Sequence, residues 1–401
     1  MNKNRRLINE MLFFQEGPGV RNAQYTSEGV KLINVANLAN GQVDLSKSER
    51  YISEEEAYGK YKHFLVDEGD FVIASSGIKV DYFDKKMGFI HAKHLPLCMN
   101  TSTIRFKSLD HNILNIRYFM YFMKSNDFKR QLMKEITGSA QLNFGPSHLN
   151  RMTFPVVEID QQIEIHTILD KITLIIQKRT LQLEELDHLI NSRFVEMFGD
   201  PITNRMGWKV CSFNSSSVKI SDGPFGSNLK SEHYCDEGIR VIRLQNIGVG
   251  DFIDRDKAFV NTEHYEMISK YTCYPGELVI ATMGTPNLRA TIVPDYLEKA
   301  IHKADCVRFV PKPDILNSTF ACYYINRPET LLLASDKMHG QTRTRISSGQ
   351  VKQLPIFLPP VELQKQFDEF VQHVNKLKSK VEKSLTEKQM LFDSLMQEYF
   401  E

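Results

Sequence analysis

The chain has 401 residues, 42% of them hydrophobic and 25% charged, which is a globular composition with more length than one hydrophobic core usually supports. Its formal net charge of +1 identifies neither a nucleic-acid partner nor a membrane partner. No apolar run approaches the roughly 20 residues of a membrane span, so we expect a soluble, cytoplasmic protein of at least two domains with no membrane partner.

The first predicted element is a tight turn, EGPGVRN at residues 16–22, and a turn of the same kind, DGPFGSN, recurs at residues 222–228. A β-rich run follows each turn, EGVKLINVANL at 28–38 and EGIRVIRLQNI at 237–247. Four positions of these runs are identical and five more keep their chemical character. This similarity predicts that the chain carries two copies of one domain, because the period is far too long for a solenoid repeat.

The later elements of the two copies follow in the same order. Strands, helix starts, polar loops and proline-bounded exits occur twice: GDFVIASSG (69–77) and GELVIATMG (276–284), STIRF (102–106) and DCVRF (305–309), ILNIRYFMYF (113–122) and ILNSTFACYY (315–324), TGSAQLNFGPSHL (137–149) and HGQTRTRISSGQV (339–351), FPVVEIDQQI (154–163) and LPPVELQKQF (358–367). We therefore predict two homologous, sheet-based domains of mixed α/β (α+β) class at residues 1–157 and 201–361. Helical pattern within them is predicted mainly at 115–136 and 319–337.

Each copy ends in a long predicted helix, at residues 158–200 and 362–401. Apolar residues recur there in alternating steps of four and three, as in a coiled-coil seam. Because such a helix needs a partner, we predict that the two helices pair as an antiparallel coiled coil and give the chain pseudo-twofold symmetry. The predicted seam, which also serves partner proteins, consists of Ile165, Leu169, Ile172, Ile176, Leu183, Leu186, Ile190, Phe370, Val374, Leu377, Val381, Leu391 and Leu395.

The charge is distributed unevenly between these helices and the domains. Residues 158–200 hold nine acids against four bases and residues 362–401 eight against six, so the helices carry −7 and the rest of the chain +8. Basic and uncharged polar residues cluster in the repeated loops. Arg, Asn and Gln can read the edges of guanine and adenine, whereas Lys, Ser and Thr serve phosphates. Solvated loops use similar residues, but their recurrence in both copies favours DNA binding.

The doubled succession of these motifs, over nearly the whole chain, resembles the specificity subunits of type I restriction-modification systems. The resemblance implies two target-recognition domains, each reading one half of a bipartite, asymmetric double-stranded DNA site, joined by two helical spacers. It implies that this chain is not itself an enzyme and binds no cofactor. The implied partners are two methyltransferase subunits, which use S-adenosylmethionine to methylate adenine, and up to two restriction subunits, which use ATP and Mg²⁺.

We predict that the turn glycines let the backbone approach DNA closely and that the side chains after them point at the groove. The predicted DNA-contacting residues are Arg21, Asn22, Gln24, Asn37, Ser75, Ser76, Lys79, Gln141, Asn143, Ser147, Phe225, Ser227, Asn228, Lys230, Arg243, Asn246, Thr282, Met283, Arg289, Gln341, Thr342, Arg343 and Arg345.

Two other functions stay open on the residues alone. A two-module protein-binding scaffold would explain the long helices but not the doubled polar loops. An RNA-binding protein would fit the basic loops and the aromatic segments, since single-stranded RNA is read by stacking. The helical spacing of Phe119 and Phe122 favours a role in the core instead.

Catalytic and metal-binding signals are weak. The sequence has neither a P-loop nor the Asn/Asp-Pro-Pro-aromatic motif with which adenine methyltransferases hold the flipped base. The pair His91 and His94 has a possible ligand spacing but no second pair, so we predict no metal site. Six cysteines without a CxxC pair predict buried, reduced thiols.

Overall fold

The computed structural model describes residues 4–135, 142–338 and 344–401. It divides into two compact units. Unit 1 contains the described residues up to Thr180 together with Lys383–Glu401, and unit 2 contains Leu181–Glu382. No helix in the described ranges is long and apolar enough to cross a membrane.

Unit 1 contains short strands and short helices, and the long helix α6 begins in it. Its strands are β1 (Arg5–Leu7), β2 (Leu12–Glu16), β3 (Val30–Ile33), β4 (Leu38–Ala39), β5 (Gln42–Val43), β6 (Tyr51–Ile52), β7 (Phe71–Ala74), β8 (Ser76–Ile78), β9 (Met87–Phe89), β10 (Leu97–Met99), β11 (Thr103–Ser108), β12 (Leu142–Asn143) and β13 (Thr153–Pro155). The helices are α1 (Ile8–Met11), α2 (Glu54–Tyr58), α3 (Ile116–Lys124), α4 (Asn126–Glu135), α5 (Pro146–Leu149) and α6 (Ile159–Phe198).

Two sheets organise unit 1. One is antiparallel with strand order β2-β11-β7-β9, and the other has the order β10-β3-β6, in which β10 and β3 are parallel. All four residues of β7 are buried, and so are six consecutive residues of α3, Tyr118 to Met123. The rings of Phe106 in β11 and Phe119 in α3 lie 5.4 Å apart. The predicted assignment of Phe119 and Phe122 to the core is therefore confirmed, because both side chains are fully buried.

Unit 2 repeats this arrangement. Its strands are β14 (Lys209–Ser212), β15 (Ser217–Asp222), β16 (Ile239–Ile242), β17 (Phe259–Val260), β18 (Thr272–Cys273), β19 (Leu278–Ala281), β20 (Ala290–Ile292), β21 (Ala300–His302), β22 (Cys306–Pro311) and β23 (Pro355–Leu358). The helices are α7 (Thr262–Ile268), α8 (Ser318–Ile325), α9 (Pro328–Ser335), α10 (Ser348–Lys352) and α11 (Val361–Phe400).

The two main sheets of unit 2 match those of unit 1, except that the second sheet has the additional strand β18. The order β15-β22-β19-β20 corresponds to β2-β11-β7-β9, and the parallel pair β16-β21 corresponds to β3-β10. The registers agree as well, since Lys31 faces Leu97 in unit 1 and Arg240 faces Ala300 in unit 2. The predicted duplication and the mixed α/β class are confirmed. Each predicted helical region is a pair of helices, α3 and α4 in unit 1 and α8 and α9 in unit 2.

The helices α6 and α11 each contribute half of their length to each unit. Within unit 1, Leu169 shares a core with Met396 and Phe400. Within unit 2, Phe194 lies 5.5 Å from Phe367 between ring centres, and Lys378 Nζ lies 2.6 Å from Asp187 Oδ1. Residue numbers increase along one helix where they decrease along the other. The pairing within unit 2 is therefore antiparallel, as predicted.

Most of the predicted seam is at least partly buried, but two positions are wrong. Leu169, Ile172, Ile190, Val374 and Val381 are buried, and Ile165, Ile176, Leu183, Leu186, Phe370 and Leu395 are half-buried. Leu377 and Leu391, by contrast, are 51% and 43% exposed. The neighbouring residues Lys378 and Phe392 are half-buried instead. The residue that follows Val374 on the buried face of the helix is four positions further along, not three.

This register predicts a sharp contrast between two neighbouring substitutions in α11. Val374→Ala removes a side chain that is 3% exposed and should lower the free energy of unfolding of unit 2 by about 2 kcal/mol. Leu377→Ala should change it by less than about 0.5 kcal/mol. The single tryptophan, Trp208, lies in unit 2, so urea unfolding followed by its fluorescence measures both. Equal losses in the two variants would contradict the observed register.

Candidate nucleic-acid interface

The two Gly-Pro turns are built by contacts inside each unit. A Cβ atom added to Gly17 would lie 2.1 Å from the carbonyl oxygen of Asn100, and one added to Gly223 would lie 2.3 Å from that of His302. Glycine is therefore required because each turn packs against backbone at the carboxyl-terminal end of β10 or β21. The prediction that these glycines serve a close approach to DNA needs correction, since protein backbone already fills the space beside them.

The side chains after the turns are presented to solvent. Arg21 and Asn22 in unit 1 are exposed, as are Phe225, Ser227 and Asn228 in unit 2. The carbonyl oxygen of Asn228 lies 2.9 Å from Nε2 of His264, which holds the end of the second turn. Among the residues that the structure describes, none forms a hydrogen bond or an ion pair with these five side chains that would prevent contact with a ligand.

Other predicted loops of unit 1 meet beside its turn. Ser76 in β8 pairs with Asn143 in β12, and the amide of Phe144 donates to the carbonyl of Ser75. The hydroxyls of Ser76 and Ser102 lie 2.6 Å apart. Gly145, in the same loop as Ser147, would place a Cβ atom 3.2 Å from the carboxylate of Glu16. Residues 75–79 and 142–147 therefore lie next to the turn at residues 16–22.

Unit 2 brings together the corresponding segments. Met283 forms a β-bridge with Arg345, and the side chain of Asn287 donates to the carbonyl of Thr344 at 3.1 Å. Ser348 donates to the carboxylate of Asp222, at the start of the turn. The turn at 222–228 and the segments at 282–289 and 344–348 thus form one surface. We call this surface and its unit 1 counterpart the loop faces.

Several residues that were predicted to contact DNA instead form hydrogen bonds within their own unit. Asn37 and Asn246 are fully buried at equivalent positions; each accepts from the amide three residues before it, in Asn34 and Arg243, at 3.0 Å and donates to backbone carbonyls. Gln24 donates to Glu56 at 2.7 Å and to Tyr61 at 3.0 Å. We withdraw these three residues as DNA contacts, because their amides already have partners.

Arg289 is also an internal residue and not a base reader. Its guanidinium donates to the carbonyls of Leu244, Ile247, Met283 and Pro286 at 2.6–3.0 Å. Burial lowers its pKa from the ordinary value. Arg289 thus ties the segment at 282–289 to the turn that follows β16.

Buried hydroxyls account for two more corrections. Thr282 is 2% exposed and donates to the carbonyl of Asp305 at 3.0 Å. Ser75 is 1% exposed, which keeps its hydroxyl from solvent.

Arg243 is held by Asp256, with 2.9 Å between Nη2 and Oδ1. The predicted residues Gln141, Gln341, Thr342 and Arg343 lie outside the described residues.

The remaining predicted residues can reach a ligand from the loop faces. Ser76 and Met283 are half-buried, and the exposed members are Arg21, Asn22, Lys79, Asn143, Ser147, Phe225, Ser227, Asn228, Lys230 and Arg345. Arg345 lies 3.1 Å from Asp305 and Lys230 lies 3.3 Å from Glu232. Such exposed ion pairs contribute about 0–1 kcal/mol, so DNA phosphates or bases can replace the carboxylates.

Two glutamines that were not predicted from the sequence position the long helices. Gln162 near the start of α6 is fully buried; it accepts from the amide of Asn115 and donates to the carbonyls of Ile113 and Val157 at 2.7–2.9 Å. Gln364 near the start of α11 makes the equivalent bonds to Asn317, Ile315 and Pro359 at 2.8–3.0 Å. Two repeated features of the sequence could have identified these glutamines. Both proline-bounded exit motifs contain a glutamine, and both copies contain the ILN motif that this glutamine contacts.

The histidine pair considered as a metal site has a structural use. His94 Nδ1 accepts a hydrogen bond from the amide of His91 at 3.1 Å, which closes a short turn. Across the described residues, no group of three or more His, Cys, Asp or Glu side chains could hold a metal ion. Cys98, Cys273, Cys306 and Cys322 are buried free thiols, and burial raises the pKa of Cys98 to about 12.

The duplicated domains, each with exposed polar and basic side chains on one loop face, define a tandem recognition protein. Residues 16–185 match the family model of the type I restriction modification DNA specificity domain. The specificity subunit of the type I restriction enzyme MjaVIII from Methanocaldococcus jannaschii is 20% identical over 334 residues, which cover 79% of this chain and 74% of that protein.

Two solved structures are similar along nearly the whole chain. The S subunit of a type I restriction-modification system from M. genitalium has a TM-score of 0.59 at 14% identity and covers 100% of this chain and 97% of its own. A chain from a study of assembly and conformational transition of the type I R-M system has a TM-score of 0.54 at 13% identity, with 97% of both chains covered. These likenesses confirm the fold.

The chain is similar to the type I restriction-modification specificity subunits, as the repeated motifs indicated. Its role is DNA sequence recognition within a restriction-modification complex, and it is not a catalytic subunit.

Proposed function

We propose that the chain reads a bipartite DNA site, one half with the loop face of each unit. The observation that carries this proposal is the duplicated loop face with different side chains at equivalent places. Arg21 in the turn of unit 1 corresponds to Ser227 in unit 2, and Gly19 corresponds to Phe225. Because side-chain type and loop geometry decide which base edges are read, two such faces should read two different half-sites.

The same proposal assigns the partners. Two methyltransferase subunits bind, one for each unit, and supply S-adenosylmethionine; restriction subunits with ATP and Mg²⁺ complete the nuclease. Both long helices expose apolar side chains that a partner helix could cover, including Leu174 and Leu189 in α6 and Leu377 in α11. With a charge of +8 outside the helices, the chain alone should bind DNA weakly until its partners add phosphate contacts.

Single-molecule methylation mapping of host DNA, with and without this gene, tests the function directly. We expect adenine methylation at one asymmetric motif made of two short half-sites and an unread gap, present only when the gene is present. An unchanged methylation pattern, together with no duplex binding in the presence of methyltransferase subunits, would favour a protein scaffold. Preference for RNA over duplex DNA in a competition would favour the RNA-binding alternative.

Two substitutions in unit 2 should separate base reading from phosphate binding. Arg345→Ala should cost about 1–3 kcal/mol of discrimination and relax the motif in one half-site only. Lys230→Ala should weaken binding to all sequences about equally, because a phosphate contact carries no sequence information. Methylation motifs and duplex affinities of the complexes measure both effects. Uniform weakening by Arg345→Ala would reassign this arginine to the phosphates.

A further inference from the structure

Two tyrosines occupy equivalent places below the Gly-Pro turns. Tyr25 and Tyr234 each end a short 3-10 turn, and the amide of the next residue donates to Tyr51 in unit 1 and to Phe259 in unit 2. The hydroxyl of Tyr25 lies 3.5 Å from the carbonyl oxygen of Val20, which belongs to the turn itself. Tyr25 therefore contacts the turn of the unit 1 loop face, and Tyr234 occupies the equivalent place in unit 2.

A cation lies against each tyrosine ring, and it comes from a different place in each unit, just before β6 in unit 1 and just after β21 in unit 2. The guanidinium carbon of Arg50 is 5.2 Å from the ring centre of Tyr25, and Lys303 Nζ is 5.4 Å from that of Tyr234. The register places Ala258 at the position of Arg50 and Asn100 at the position of Lys303. Both units thus place a positive charge at the same ring by independent routes.

Among the described residues, these two cations differ from their neighbours because neither has a carboxylate partner. Lys31 is paired with Glu49 at 3.1 Å, Arg240 with Asp254 at 3.2 Å, and Arg243, whose guanidinium also lies 5.6 Å from the Tyr234 ring, with Asp256 at 2.9 Å. Within the described parts of the chain, no carboxylate lies within 4 Å of Arg50 or Lys303. A cation held on a ring without a counterion keeps its full charge for an external anion.

The position of Arg50 and Lys303 beside the Gly-Pro turns indicates which anion they could bind. Gly223 packs on the carbonyls of His302 and Lys303, and Gly17 packs on the segment at Asn100. We propose that Arg50 with Tyr25 and Lys303 with Tyr234 are phosphate anchors, one in each unit, that grip the DNA backbone beside the half-site. This assignment rests on the proposed function. The anchors position the DNA and read no sequence, because a phosphate is the same at every base pair.

The test uses the complex with its methyltransferase subunits and measures duplex affinity across a series of KCl concentrations. One duplex carries the mapped methylation motif and the other a scrambled sequence. Arg50→Gln and Lys303→Gln should each reduce the slope of log affinity against log salt by about 0.9, and the double variant by about twice that. Affinity should fall by the same factor on both duplexes, and the methylated motif should stay unchanged. Lys303→Arg should restore the slope.

Lys60 and Lys270 provide matched controls. Each is exposed and lies over a tyrosine ring, at 4.9 Å from Tyr61 and 5.0 Å from Tyr271, so their change to Gln removes the same charge elsewhere. An equal slope change in these controls, or unchanged slopes in the Arg50 and Lys303 variants, would overturn the anchors. If the wild-type complex itself failed to prefer the mapped motif, the proposed function would fall instead. Thermal unfolding of each variant separates lost contacts from lost structure.

Discussion

Gly17→Ala is expected to destabilise unit 1 by about 3 kcal/mol, whereas Gly19→Ala, two residues further along the same turn, should change its stability by less than about 0.5 kcal/mol. The added Cβ of residue 17 would lie 2.1 Å from the carbonyl oxygen and 2.7 Å from the carbonyl carbon of Asn100. Both atoms are backbone, so the whole turn must shift. A Cβ added to Gly19 meets nothing within 4 Å.

Hydrogen exchange followed by mass spectrometry can measure this contrast unit by unit. In Gly17→Ala, the amides of β11 and β3 should lose protection, since the turn packs on the segment between β10 and β11. Trp208 fluorescence should report an unchanged unit 2. Tolerance of alanine at position 17 without loss of protection would show that the turn can relax, and the glycine would then need another reason, such as contact with DNA.

Gln364→Ala is expected to lower the free energy of unfolding of unit 2 by about 4 kcal/mol. The substitution leaves the amide of Asn317 and the carbonyls of Ile315 and Pro359 without the partner that they share. Each buried polar group that loses its hydrogen bond costs about 1–3 kcal/mol. The shortened side chain also leaves a cavity at a fully buried site.

The control for this variant lies two residues away on the same helix. Gln366 is exposed, so Gln366→Ala should change stability by less than about 0.5 kcal/mol. Urea unfolding followed by Trp208 fluorescence measures both variants in unit 2. The same contrast is expected in unit 1: Gln162→Ala should destabilise the unit and Gln161→Ala should not, since Gln162 is buried and Gln161 is exposed. A loss below 1 kcal/mol in Gln364→Ala would mean that water replaces the glutamine.

The long helices show how far a periodic pattern can predict structure. Their predicted extents, 158–200 and 362–401, differ from α6 and α11 by no more than two residues at either end. A helix follows from local spacing of apolar residues, which the sequence displays directly. Whether Leu377 or Lys378 faces the other helix cannot be predicted in this way. It depends on the partner side chain Asp187, which lies far away along the chain.

The candidate site was predicted only in outline for the same reason. The loops that carry Arg21, Ser227 and Arg345 could be identified because they recur in both copies. That Asn246 and Arg289 are internal could not be inferred, because an amide or a guanidinium is equally suited to a base edge and to a backbone carbonyl. The partner is chosen by whichever carbonyls the folded chain brings within reach.

The sequence by itself determined the duplication, the mixed α/β class, the two long helices and the resemblance to type I restriction-modification specificity subunits, since each of these follows from local patterns and their order. The tertiary structure alone decided why glycine stands at positions 17 and 223 and which polar side chains remain free on the loop faces. It also placed Arg50 and Lys303 at equivalent rings from different segments of the two units. Such relations depend on close approach between distant segments, and contact distances exist only once the strands have paired.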